Sequence, residues 1–340
     1  MTGSFSLGQP EPKRDGWGRY LLPDVDSGGG PLKPRTRATT FAKSISDTYG
    51  LQKWATRMAV KGVTMRPDLL ALAASAPITD SKTLDQVAED AKETAGASAG
   101  RNAGTALHAF TEQVDRGENV TIPPPWDADV LAYQTAMRDA GVTVLSQFIE
   151  RIVIVKRFNV AGTLDRLVRW IELPDGTLVV ADLKTAKDLS YSWLEIAIQL
   201  ALYAHADALW DGITGRYEPM PKLDLKRGIV MHSPAGKATC QLYEVDIAAG
   251  WEVAQLCADV RAWRSKKGLG KKLGPIVAAS NRTQIGTSEP VDLAREISEA
   301  ATITQLFDLW KLAQAAGHWT PVHTALASAR RAQLEASPAA

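Results

Sequence analysis

The chain has 340 residues, 45% of them hydrophobic and 23% charged, the make-up of a soluble globular protein with one large domain or a core domain carrying helical additions. A formal net charge of +1 excludes a uniformly basic nucleic-acid coat but leaves room for a local basic groove, and no apolar run approaches the roughly 18 residues of a membrane span. The N-terminus lacks an apolar secretory core, and the two cysteines, Cys240 and Cys257, are too few for a disulfide framework or a four-cysteine metal or iron–sulfur site, so a cytoplasmic, reducing compartment is the expectation.

Residues 1–37 are rich in Gly, Pro and charge, as in DSGGGPLKPRTR, and read as an extended arm. Residues 38–145 read as a helical region. Its period starts in TTFAKSISDTYGLQKWATRMAVKG, with Thr39 or Thr40 as N-cap and Gly62 as a stop. MRPDLLALAAS and TLDQVAEDAKETAGASAGRNAGTALHAFTEQVDRG continue it, the latter broken near Gly96–Gly104. Pro123–Trp126 is a rigid connector into another helix, DADVLAYQTAMRDAG.

A core is read over 146–275, where the period changes. SQFIERIVIVK, GTLDRLVRWIE and GTLVVADLKT alternate and are rich in β-branched residues. A largely buried helix, SWLEIAIQLALYAHADALW, follows, then a strand pair, KRGIVMHS and KATCQLYEVD, joined by a Pro-Ala-Gly turn. The helix IAAGWEVAQLCADVRAWRSKK, with Gly250 an early weak point, leads to the basic loop SKKGLGKKLG. A linker at 276–290 and a small helical module at 291–340 complete the chain.

The stretch AGTLDRLVRWIELPDGTLVVADLKTAKD, Ala161–Asp188, puts charges into strand-like runs where burial is costly. ELPDG is a hairpin signal. Pairing Glu172 with Thr177 sets Asp165 opposite Lys184, with Asp182 as diagonal neighbour. Asp182 and Lys184 are two apart and share a face; an even-length loop puts Asp165 on that face, and a one-residue slip removes it. Two close carboxylates repel, and a divalent cation resolves the conflict. Oxygen ligands suit Mg²⁺ or Mn²⁺, leaving Lys184 to hold or polarise a water or to stabilise charge on a phosphate. The competing reading is a cross-strand salt bridge on a solvated face, against which the Val-Val-Ala approach to Asp182 speaks for burial. Gln199 and Tyr203 share a helical face, either at the edge of a polar site or as a tyrosine with a satisfied hydroxyl.

GTLDR, VVADLKT and QLALY, in this order and spacing, resemble the PD-(D/E)XK nuclease superfamily, and within it the RecB-like branch that includes phage and CRISPR-associated exonucleases. The resemblance covers roughly residues 100–265. It implies an α/β, restriction-endonuclease-like core, a central mixed sheet flanked by helices, with the N-terminal helical region and small C-terminal helical module as additions. It further implies Asp165 and Asp182 as metal ligands, Lys184 as catalytic, and Gln199 and Tyr203 as supports of the site. His108 in GTALHAF matches the family's upstream metal-ligating histidine, the Leu183 carbonyl is a further implied ligand, and Glu150 aligns loosely with an acidic position of some members. The implied cofactor is Mg²⁺ or Mn²⁺. The Pro-Asp pair of the superfamily is here Leu164-Asp165, and the four cysteines of many CRISPR-associated relatives are missing, so no iron–sulfur cluster is expected.

Arg151, Lys156, Arg157, Arg166 and Lys187 flank the proposed centre and are candidates for phosphate contacts. Lys266, Lys267, Lys271 and Lys272 of the basic loop are too, with a solvated charge run as the alternative; GLGKK lacks the strand–loop–helix context and Lys-Ser/Thr ending of a phosphate loop. Trp54, Trp126 and Tyr133 are either base-stacking or core aromatics, and His205 reads as structural. The expected activity is metal-dependent hydrolysis of linear DNA in phage recombination or end processing, in the host cytoplasm if phage-encoded. Exonuclease is preferred because the branch is rich in end-processing enzymes. Expected partners are duplex or single-stranded DNA, a single-strand annealing protein engaged through the C-terminal module, and a second copy of the chain. The rivals are an endonuclease on the same core and a non-catalytic DNA-end-binding recombination partner; nothing in the residues excludes RNA.

Overall fold

Alternate residues of the VVADLK strand, Val179–Lys184, are buried in two different cores, Val180 on one side and Val179, Ala181 and Leu183 on the other. A strand covered on both faces is expected to read as an almost continuous apolar run, which makes the acid and the lysine at its end conspicuous. The computed structural model describes residues 10–27, 30–273 and 292–336, divided between the units Met1–Lys267 and Gly268–Ala340.

The first unit is α/β. In chain order it comprises β1 (Tyr20–Leu22), β2 (Lys33–Arg37), α1 (Ala38–Ala42), α2 (Tyr49–Met65), α3 (Pro67–Ser75), α4 (Ser81–Thr94), α5 (Ala99–Asp115) and α6 (Trp126–Asp139). There follow β3 (Val142–Val144), β4 (Arg151–Val155), β5 (Val160–Leu164), β6 (Arg166–Trp170), β7 (Val179–Lys184), α7 (Trp193–Ala204), β8 (Ala208–Asp211), β9 (Arg216–Pro219), β10 (Arg227–His232), β11 (Gln241–Asp246) and α8 (Ile247–Arg264). The strands form two mixed sheets, ordered β1-β2-β5-β4-β8-β9 and β11-β10-β7-β6-β3. Among these strands only β2–β5 and β10–β7 are parallel neighbours. β5 and β6 are one run of chain that changes sheets at Asp165: Leu164 still pairs with Arg151, while Arg166 pairs with Ala181.

Helices α1, α7 and α8 contribute to the core that holds Val180, through Phe41, Ile198, Leu200, Leu202 and Ala254. Helix α6 covers the other face of the second sheet with Tyr133 and Met137 against Val168, Ala181, Leu183 and Ile229. Each such fully buried side chain contributes about 1.5–3 kcal/mol relative to exposure. From α6 the buried Asp129 also fixes the Pro-Ala-Gly turn between β10 and β11, accepting the backbone N–H of Gly236 and of Ala238 at 2.6 Å each.

Several local expectations are corrected. The stretch read as an extended arm contains β1 and β2, and β2 joins the sheet in register with β5 (Thr36↔Val160, Arg37↔Ala161). The buried Arg35 anchors it by donating to Asn159 Oδ1 at 2.6 Å. The helix expected to reach Trp210 ends at Ala204, and Ala208–Asp211 is a strand between β4 and β9. The strands β3 and β9 were not expected. Gly62 lies within α2 because that helix crosses α4 very closely: a Cβ at Gly62 would sit 1.7 Å from the Ala91 carbonyl oxygen. Gly62→Ala therefore forces two backbones apart, and an expected destabilisation of about 1–3 kcal/mol is measurable by urea unfolding. The break placed near Gly96–Gly104 lies between Thr94 and Ala99, and Gly104 is inside α5. The 276–290 linker is outside the described residues.

The hairpin register differs by two residues from that expected. Thr177 does not pair with Glu172: its N–H donates to Pro174 O, and Leu178 exchanges hydrogen bonds with Lys222 and Asp224. The β6–β7 pairing is Arg166↔Ala181 and Val168↔Val179, which extends to Asp165 opposite Asp182 instead of Lys184. Asp182 and Lys184 keep the face of Val180, and Asp165 lies at the end of the ladder, where its side chain reaches the Leu183 N–H.

In the second unit, α9 (Leu293–Glu299), α10 (Ile303–Ala315) and α11 (Pro321–Ala336) enclose a small core of Ile297, Ala300 and Leu306 with Leu309, Trp319 and Leu326. Asp292 and Thr302 cap the first two helices by accepting from Arg295 N and Gln305 N.

Candidate metal centre

Asp165 occupies the point at which the chain leaves one sheet for the other. Its carbonyl accepts the Glu150 N–H at 3.0 Å. Its side chain substitutes for a missing ladder partner, with Oδ2 accepting the Leu183 N–H at 2.6 Å and Oδ1 accepting Arg166 Nη1 at 2.5 Å. Asp165 and Asp182 are each 5% exposed. Glu150 has a left-handed backbone, φ 55°, a conformation that costs a non-glycine residue free energy and that clusters at functional sites.

The second set of groups comes from α5. Gly104, His108, Thr111, Glu112 and Asp115 recur at helical spacing along one stripe. The helix approaches β7 closely at Gly104, where a Cβ would meet Thr185 Oγ1 at 2.3 Å. One turn on, ligand atoms of His108, Glu112 and Asp165 all lie within 4.8 Å of one another. Glu112 was not foreseen; its i,i+4 spacing from His108 in HAFTE was the available signal.

Asp182 is not in that triad. Its Oδ2 lies 2.6 Å from Lys184 Nζ but takes no well-directed hydrogen bond, and its Oδ1 faces Gln199 Nε2 at 3.5 Å. Gln199 Nε2 also donates to Tyr203 Oη at 3.1 Å, so α7 contributes the pair at the edge of the site. The ion pair runs along β7, on a buried face, and so differs from the solvated cross-strand bridge weighed above. A strand residue directs its N–H and C=O to the same side, so the Leu183 carbonyl lies on the β7 edge that faces Asp165.

Burial dominates the electrostatics. It pushes the Glu150 carboxyl up to about 9, helped by the negative charges of Asp165 and Glu112. Burial also raises Glu112 and, against the pull of Lys184, Asp182. Asp165 goes the other way: burial alone would raise it, but the Arg166 guanidinium, His108 and the Leu183 N–H together hold it below the ordinary carboxylate value. Four acids thus crowd together, Glu112 paired with Arg116 at 3.4 Å, Asp165 with Arg166 and Asp182 with Lys184, while Glu150 has no cation partner among the described residues. A carboxylate-rich donor set with one imidazole and an Asp182 oxygen lacking a directed donor suits a hard divalent cation, with Mn²⁺ tolerating the nitrogen ligand.

Two candidates for phosphate contact are corrected. Arg166 is fully buried, donating to Asp115 Oδ2 at 2.6 Å, Thr111 Oγ1 at 2.8 Å and Asp165. Arg151 is buried and paired with Glu218 at 2.6 Å. Lys187, Lys266, Lys267, Lys271 and Lys272 are exposed. Lys156 pairs with Asp26, and Arg157 donates to Gln255. Tyr133 is a core residue whose hydroxyl donates to Asp115 at 2.9 Å, and the Trp126 indole donates to Ala103 O at 3.3 Å. His205 stacks on Trp251 at 4.0 Å. Cys240 and Cys257 are free. No helix among the described residues is long and apolar enough to cross a membrane.

Comparison with known protein families gives no match, and no curated protein sequence matches the chain significantly.

Proposed function

We propose that the chain is a divalent-metal-dependent nuclease that cleaves phosphodiester bonds of linear DNA, with His108, Glu112, Asp165 and Asp182 holding the cation and the Leu183 carbonyl and Glu150 beside them. The observation that carries this reading is the convergence of Asp165 and Asp182 from adjacent strands with Lys184 two residues on, closed over by His108 and Glu112 from α5. A cation held there supplies Lewis-acid polarisation of a phosphate oxygen and a water acidic enough to attack at neutral pH.

The protein's own groups do the positioning. Arg166 and the Leu183 N–H fix both oxygens of Asp165, and Gln199, steadied by Tyr203, orients Asp182. Lys184 reaches solvent, its side chain 25% exposed against 16% for Glu112. Its ammonium is placed to offset negative charge accumulating on a phosphate. Preference for DNA ends rests on the family resemblance.

Digestion of end-labelled linear duplex, linear single strand and closed circular DNA with Mg²⁺ or Mn²⁺ tests the reading. Cleavage of linear substrates that EDTA abolishes is expected. Cleavage of the circle identifies an endonuclease, and binding without any cleavage overturns hydrolysis in favour of an end-binding protein. Cation binding is also expected to release protons. Glu150, held near 9, is protonated at neutral pH and loses its proton when positive charge arrives. Affinity for Mn²⁺ should therefore rise with pH from about 6.5 to 9 and level off above. Calorimetry in buffers of different ionisation enthalpy measures the release, and a pH-independent affinity contradicts it.

A further inference from the structure

A pocket of about 280 Å³, separate from the acidic centre, is lined by Trp17, Arg19, Thr36, Arg37, Thr40 and Arg261. It has three arginines, two hydroxyls and an indole, and no acidic residue in its wall. Arg19 is spent on Asp15, Nε to Oδ2 at 2.7 Å. The exposed side chain of Arg37 makes no hydrogen bond or ion pair among the described residues. Among the described residues the Arg261 guanidinium donates only to Thr36 Oγ1, at 3.3 Å, and it lies over the Phe41 ring. Two guanidinium groups therefore face the pocket without a carboxylate partner among the described residues.

Trp17 is 87% exposed, but it is not on a loose end. The Asp15 carboxylate accepts the N–H of Trp17 at 3.0 Å and of Arg19 at 2.9 Å, and Gly18, φ 74°, donates to Asp15 O. This turn fixes the backbone from which a large apolar ring reaches solvent, in the same pocket wall as Arg37 and Arg261. Arg37 is also in register with Ala161 on β5, four residues before Asp165 and so about 13 Å away along the strand. The next residue, Ala38, packs beside Tyr203 against Gly162.

The geometry points to a seat for one unpaired nucleotide of a single strand, its base stacked on Trp17 and its phosphate held by Arg37 and Arg261. A base has a π-face whatever its sequence, and aromatic stacking with a cationic backbone contact is how single strands are gripped without sequence preference. A blunt duplex keeps its bases stacked on one another and has none to offer. The ligand class rests on the nuclease reading; the pocket itself does not.

Fluorescence anisotropy with a labelled 15-mer of oligo(dT) and a blunt 15-base-pair duplex, in EDTA to prevent cleavage, tests the assignment. Trp17→Ala and Arg37→Ala are each expected to weaken oligo(dT) binding roughly tenfold, with Trp17→Phe closer to wild type and duplex binding little changed. Unaltered oligo(dT) affinity in both variants, an equal loss on both ligands, or no measurable wild-type binding to oligo(dT) overturns it. Both residues are exposed, so folding is not at stake, and circular dichroism confirms this for each variant. A chain that cleaves nothing yet loses oligo(dT) binding in the variants keeps the pocket and removes the nuclease reading. Intact cleavage with unaltered oligo(dT) affinity does the reverse.

Discussion

Asp182→Asn and Lys184→Met are each expected to reduce Mg²⁺-dependent cleavage of linear DNA by on the order of 10²- to 10³-fold or more, the range found when one preorganised electrostatic group is removed from a reacting centre. Both variants should stay folded. Asp182 is buried with its carboxyl pushed up by that burial, so the neutral, isosteric amide relieves a desolvation cost instead of creating one. Without the lysine, Asp182 takes up a proton more readily and remains a neutral buried acid. Mn²⁺ affinity separates the two roles: it should fall in Asp182→Asn and hold or improve in Lys184→Met, where a competing ammonium 2.6 Å from the acid is gone. Full activity in either purified variant sinks the nuclease proposal.

Arg166→Met is expected to act on stability, by about 3–5 kcal/mol, the range for removing one partner of a buried ion pair. The guanidinium serves Asp115, Asp165 and Thr111 at once and lies over the Tyr133 ring. Its loss strands two enclosed carboxylates. The sign with pH follows. Stranded acids have folded pKa values raised above their ordinary value near 4, so the stability deficit grows as pH rises through that window and shrinks as the acids are protonated. Urea unfolding at pH 5 and pH 8 should show the larger deficit at pH 8. Near-wild-type stability at both pH values contradicts the network. Arg166→Lys keeps the charge but not the fork and should recover only part of the loss.

The shared face of Asp182 and Lys184 was legible because strand side chains alternate with a period of two. The register was not legible. It depends on Leu178 bonding to Lys222 and Asp224, a segment more than forty residues on that no hairpin rule anticipates. Arg166 read as an outward phosphate contact because a charged residue beside an acid in a strand is usually solvated. Its burial comes from Thr111 and Asp115 on α5 and Tyr133 on α6, and only the tertiary fold places those three together. Glu112 stood one helical turn from His108 and could have been found by asking what else shared that stripe. Strand β8 was absorbed into α7 because ADALW is short and apolar, where periodicity cannot separate helix from strand. Its pairing with both β4 and β9 decides the matter.

The side chain that receives the Leu183 N–H has a consequence for how this chain can change over generations. Position 165 serves two masters: it is a member of the acidic centre and also the acceptor that joins two sheets where the backbone has none to spare. On the nuclease reading, a descendant that gave up chemistry would still be held to an acceptor of that length at 165, beside Arg166. Position 184 has a lesser second duty, an ion pair with Asp182 that the acid can forgo by taking up a proton, and on the same reading it would drift once its charge was no longer used. An intact Asp165 in a relative is therefore weak testimony to activity, and the lysine two residues beyond Asp182 is the stronger witness.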